Sequence, residues 1–138
     1  MKEYLDFNAT TSVSKETAGI MHKFLVDDFG NAGSRTHESG SKAKKAVLEA
    51  RQEISNIFDA DFSELIFTSG ATESNNIAIL GLREFAKNNN KNHIISTQIE
   101  HKAVLDPLHI MESEGFDVTY IKPNKSGVIE EKEVIDAI

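Results

Sequence analysis

Cysteine is missing from all 138 residues of this chain. No disulfide framework, thiolate metal site or cysteine nucleophile can be drawn from it. That absence permits a cytosolic setting, and a soluble cytoplasmic protein is the default reading. Long apolar runs are missing as well. The amino-terminal MKEYLDFNATT has no stretch fit for a signal peptide, and nothing approaches the length of a membrane span. Positive charge is scarce: a formal net charge of −7 argues against a general affinity for nucleic acid or for an anionic membrane. Lys42, Lys44 and Lys45 do not reverse this, because they stand among alanines on a predicted helix. No Gly-x-Gly-x-x-Gly, Walker or Gly-x-Ser-x-Gly motif occurs. His22, His37, His93 and His109 have no ligand spacing with carboxylates that points to a metal.

What remains is the composition of an ordinary soluble domain, 39% hydrophobic and 27% charged, long enough to bury a core. Glu3 to Phe7 reads as a short strand. Ser14 is placed to cap a helix running to about Asp27, with Ala18, Met21, Phe24 and Leu25 on one face. After a glycine-bearing loop at 29–36, Ala43, Ala46, Val47, Ala50, Ile54 and Ile57 mark a long amphipathic helix. The second half alternates: strand 64–68, helix 72–87, strand 93–97, helix 103–114 ending near Gly115, strand 117–121, a turn at 123–127 and a helix from Glu130. Three strands separated by helices predict largely parallel pairing and an α/β fold. A narrow parallel sheet needs cover at its edges, and the last helix stops without a capping glycine. The expectation is a chain cut short relative to a larger fold.

Open parallel sheets bind ligands at the carboxyl ends of their strands. The first candidate there is Thr68 to Asn75, TSGATESN, where a strand gives way to a helix at Gly70, Ala71 and Thr72. Free backbone N–H groups, the Thr72 hydroxyl and the positive end of the helix dipole suit a phosphate. A plain cap by Ser69 or Thr72 accounts for the same residues. The second candidate is Glu100-His101-Lys102, just before the next helix. Imidazole there could stack on a flat ring or move protons near neutral pH, or simply be a solvated capping residue. The third is FGNAGSRTH at 29–37, whose glycines and Asn31 allow a close backbone approach and whose Arg35 offers a forked donor. It reads equally as a connection between helices.

Taken in order, YLDFNATT at 4–11, FGNAGSRTH at 29–37, FTSGATESNN at 67–76, EHKAVL at 100–105 and GFDVTYI at 115–121 resemble the amino-terminal part of cysteine desulfurases. These are pyridoxal-phosphate enzymes of the class V aminotransferase group, and NAGSRTHE looks most like their DNA-phosphorothioation branch. The resemblance covers essentially the whole chain. It implies the type I fold of pyridoxal-phosphate transferases, with residues 1–15 in a small domain and 16–138 in an incomplete large domain. It implies that Ala71 and Thr72 hold the phosphate of pyridoxal 5'-phosphate, and that His101 stacks on the ring and assists proton transfer. Asn8 and Asn31 would lie near the substrate, L-cysteine, whose sulfur leaves as an enzyme persulfide while L-alanine is released. A sulfur-acceptor protein and a homodimer with cofactor sites close to the subunit interface belong to the same picture.

Two departures stand against these matches. The family's covalent lysine lies in a Ser-x-His-Lys segment followed by glycines, and His101-Lys102 lacks both the serine and the glycines. The persulfide cysteine is absent too. A third, smaller departure is Ala32-Gly33, where many relatives carry proline after the asparagine. These 138 residues therefore predict a cofactor seat without its covalent anchor or its sulfur nucleophile. A phosphate- or nucleotide-binding module and a structural remnant are the alternatives.

Overall fold

The computed structural model describes residues 3–138, and they form two compact units, residues up to 66 and residues 67–138. The first unit is helical. Helix α1 (Lys15–Val26) starts where Ser14 Oγ accepts the Thr17 N–H at 3.0 Å, with Glu16 in its first turn and Lys23 in its last. Both charges oppose the helix dipole. Helix α2 (Glu38–Phe58) ends at Asp59, which takes the left-handed conformation, φ 50°. A single 3₁₀ turn follows at Phe62–Glu64. Asp61 accepts from Ser63 N, and Glu64 reaches back to Asp61 N, both at 2.8 Å. This reciprocal capping satisfies donors at both ends of the turn.

Two expected strands in this half are not strands. Asp6 folds the segment Glu3–Phe7 back on itself by accepting the N–H groups of Ala9 and Thr10. Leu65 does have strand-like dihedrals (φ −86°, ψ 122°), but the Arg51 guanidinium takes its carbonyl. The stretch 65–68 is extended coil, and the sheet is two-stranded rather than three-stranded.

The second unit is the α/β part. Helix α3 (Ala71–Gly81) and helix α4 (Arg83–Asn88) occupy the single helix expected at 72–87. The break falls at Leu82, whose ψ of −8° ends the regular ladder, and Arg83 Nε donates to the Leu80 carbonyl at 3.0 Å. Strand β1 (His93–Thr97), helix α5 (Lys102–Ser113), strand β2 (Asp117–Ile121) and helix α6 (Glu131–Asp136) complete it. The strands pair in parallel from His93 with Asp117 to Thr97 with Ile121, as the crossover helix between them requires.

Helix α5 ends in a Schellman motif. Gly115, at φ 92°, adopts a conformation that a side chain would strain, and Phe116 N–H returns to the Met111 carbonyl at 3.1 Å. Phe116 and Met111 then meet in the apolar cluster with Ala86, Ile79, Leu80 and Ile94. Helix end and core are thus closed by the same residues.

Candidate functional site

That cluster orients the second unit. Ile79 and Leu80 lie near the carboxyl end of α3, Met111 near that of α5, and Ile94 near the start of β1. The two helices therefore run the same way, against the strand. Their amino termini share the end of the unit to which the strands' carboxyl ends point. Ala71, Thr72 and His101 are brought to that one end.

At α3 the cap position is Gly70, and no side chain bonds to the helix's first donors. The N–H groups of Gly70, Ala71, Thr72 and Glu73 have no hydrogen-bond acceptor among the described residues. Ser69 is engaged elsewhere: its N–H and hydroxyl both donate to Glu73 Oε2, at 2.6 and 2.8 Å. Thr72 is exposed and makes no side-chain bond among the described residues. Capping by Ser69 or Thr72 therefore does not account for this turn. Unclaimed donors at the positive end of a helix dipole are an arrangement that suits an anion.

The turn behind the seat is tied down twice. Thr68 Oγ1 and Ser74 Oγ lie 2.7 Å apart, and both hydroxyls point at the Gly70 carbonyl, at 3.2 and 3.3 Å. Ser74 N–H bonds to the same carbonyl at 3.1 Å. A trans peptide is planar, with C=O and N–H opposed. Fixing the Gly70 carbonyl on the helix side thus aims the Ala71 N–H outward. The bonds from Ser69, backbone first and then hydroxyl, hold the Glu73 carboxyl below its usual pKa.

His101 does cap. Its Nδ1 accepts the Ala103 N–H at 3.1 Å at the start of α5, where φ is −67° and ψ is 152°. In the neutral ring this leaves the proton on Nε2. Capping and a second, proton-bearing nitrogen coexist in one exposed residue. The loop before it is held by Thr97 Oγ1 donating to Glu100 Oε1 at 3.1 Å.

Asn8 and Asn31 belong to the other unit. Asn8 sits exposed in the turn at 7–9. Asn31 is exposed too, and its Oδ1 accepts Gly33 N–H at 2.8 Å, folding its own loop. The close approach of Gly30 is internal: a Cβ there would stand 2.1 Å from the Ser39 carbonyl oxygen. Gly40 on α2 is its counterpart, where a Cβ would meet Ser34 Cβ at 2.6 Å. Sequence reading missed Gly40, although a lone glycine in a helical pattern is a signal of close packing.

Other grooves lie in the first unit, one apolar and one lined by His37, Glu38, Lys42 and Lys45. The apolar one, of about 550 Å³, is lined by Phe24, Phe29, Ala43, Val47 and Ala50, with Asp28 as its charged group. Lys42 and Lys23 pair with that carboxylate. Among the described residues no cluster of His, Asp and Glu is arranged to hold a metal, and no helix is long and apolar enough to cross a membrane.

Residues 3–138 match the family model described as Aminotransferase class-V. The chain belongs to that family. Among class-V relatives, the human cysteine desulfurase is 47% identical over 135 residues, which is 98% of this chain and 29% of that protein. The cysteine desulfurase IscS of Shewanella oneidensis is 48% identical over 128 residues, 91% of this chain and 31% of that protein. Among solved structures, DndA from Streptomyces lividans superposes with a TM-score of 0.83 at 46% identity, covering 99% of this chain and 38% of that one. SspA in complex with cysteine gives 0.86 at 42% identity, covering 99% and 39%. This class-V chain thus spans about a third of the length of the relatives it matches. Its α/β architecture agrees with theirs, which fixes the fold class.

Proposed function

We propose that this chain is the amino-terminal portion of a pyridoxal-phosphate-dependent cysteine desulfurase. Such an enzyme takes sulfur from L-cysteine, releases L-alanine and passes an enzyme-bound persulfide to an acceptor protein. The observation that carries the reading is the open turn of α3: four unclaimed N–H groups on a glycine cap, at the same end of the unit as His101. Identities near 47% with cysteine desulfurases across almost the whole chain support it. So does the likeness to SspA, a protein solved with cysteine.

The donor set fits the cofactor's phosphate, since backbone N–H groups and a free hydroxyl bind a dianion without adding bulk. Ala71 and Thr72 would hold that phosphate, and His101 would lie against the ring. When bound, pyridoxal phosphate supplies the electron sink for breaking the substrate's carbon–sulfur bond. His101 would contribute a proton at Nε2 while Nδ1 stays committed to Ala103. Asn8 and Asn31 would serve the substrate end, with residues 1–15 in a small domain and 16–138 in the large one. With no cysteine in the 138 residues, the persulfide must form on a thiol outside them. A homodimer accompanies this reading.

Calorimetric titration of the chain tests it. Pyridoxal phosphate is expected to bind more tightly than pyridoxal, which lacks the phosphate, and more tightly than adenine nucleotides. Thr72→Ala should weaken binding roughly tenfold, as for loss of one hydrogen bond to a charged group. A preference for nucleotides would sink the proposal in favour of a plain binding module. Supplying the missing two-thirds from a relative should then restore alanine release from L-cysteine.

A further inference from the structure

We propose that Glu73 is a positioning residue that keeps the amino terminus of α3 open for an anion. The inference rests on the phosphate-seat reading above, and its evidence is a departure from ordinary capping. In a capping box, the cap side chain takes the third residue's N–H, and that residue's carboxylate takes the cap's N–H. Such a box forms at Asp61 and Glu64.

At α3 the same register places Gly70 as the cap and Glu73 three residues on. Both halves of the box are undone. Glycine has no side chain to offer, and Glu73 passes over the Gly70 N–H to take Ser69 instead. An acidic side chain that would normally cover a helix terminus is drawn behind it. Ser69, the nearest hydroxyl able to cap, is held by the same oxygen. Glu73 thus removes two competitors for the donors, itself and Ser69.

A carboxylate this close to an anion site has an electrostatic cost. Two donors from Ser69 spread its charge and lower its pKa. Repulsion and positioning therefore predict opposite signs on removing the side chain. If the carboxylate merely repels, its loss strengthens anion binding. If it positions, its loss frees Ser69 to cap the helix, and anion binding weakens.

The test uses the 138-residue chain with pyridoxal phosphate, pyridoxal and inorganic phosphate as probes. Glu73→Ala should weaken both phosphate-bearing probes about tenfold and leave pyridoxal unchanged. Glu73→Gln, whose amide oxygen can still accept from Ser69, should keep affinity within about threefold. Amide NMR of Ala71 and Thr72 should report the phosphate in the parent and lose that response in Glu73→Ala. Tighter phosphate binding by Glu73→Ala, equal losses in both variants, or an unfolded Glu73→Ala chain would each overturn the positioning role. A parent chain that binds neither phosphate probe would instead defeat the underlying reading of the site.

Discussion

Residues 67–138 bury Leu108, Met111, Phe116 and Ile121, whereas the residues buried along α2 in the first unit are Gly40, Ala43 and Ser55. The second unit closes large apolar side chains around a parallel strand pair and a capped helix end. The first brings backbones close through small residues and leaves Leu25, Phe29, Ile57 and Phe58 more than 70% exposed. The difference teaches that one half is organised by volume and the other by proximity. Burying a leucine-sized side chain stabilises by about 1.5–3 kcal/mol. A glycine contact stabilises little by itself and is exacting about what replaces it.

The contrast breaks most readily in the second unit. Leu108, 2% exposed, should cost about 2–5 kcal/mol when changed to alanine, through lost transfer energy and the cavity left behind. Ile57→Ala, at 78% exposure, should stay within about 0.5 kcal/mol. Chemical denaturation of both variants checks the pair, and equal effects would erase the distinction.

Next in size is Gly30→Ala. The new methyl would meet the Ser39 carbonyl at 2.1 Å, and backbone yields poorly. A cost of about 1–3 kcal/mol is expected from overpacking. Hydrogen exchange should show the loss concentrated at 29–40, with the amides of 93–97 as reference.

The smallest effect is electrostatic. In the first unit Asp28 is held below the usual carboxylate range by hydrogen bonding to Lys42, and then to Lys23, against some burial. In the second, Glu114 is lowered chiefly by Arg83 and then Lys87. A depressed folded pKa gives stability that is present above the unfolded value, about 4 for carboxylates, and lost as pH falls through the folded one. Acid titration should therefore weaken both units below about pH 4. Asp28→Asn should reduce the dependence of the first unit, where Asp61 is also lowered, and Glu114→Gln that of the second, where Glu73 is. Added salt should blunt the Glu114 effect more, since its side chain is 29% exposed against 10% for Asp28.

Local signals carried most of the secondary structure. Ser14 as a cap, the spacing along α2, Gly115 after α5 and the two pentads rich in β-branched residues at 93–97 and 117–121 are each legible within a few residues. The expected strands at 3–7 and 64–68 were not strands. Strand character depends on a distant ladder, while Asp6 and Arg51 claimed carbonyls and N–H groups that a ladder would use. The split at Leu82 was hidden because Gly81 resembles any tolerated helix glycine. At the site, the open donors of α3 were foreseeable, and so was a capping role for His101 among its options. The backward reach of Glu73 was not, because register alone predicts that it would cover the Gly70 N–H.

Gly30 and Gly40 also set where this polypeptide can be cut, tagged or lengthened. Exposed glycine-bearing loops ordinarily accept insertions. Here the connection is gauged at both ends, by Ser39 against Gly30 and by Ser34 and Asn31 against Gly40. Its length is a dimension of the structure, and an added residue would lift the chain off the helix it abuts. The turn at 124–128, closed on itself by Asn124, is the better place to open the chain.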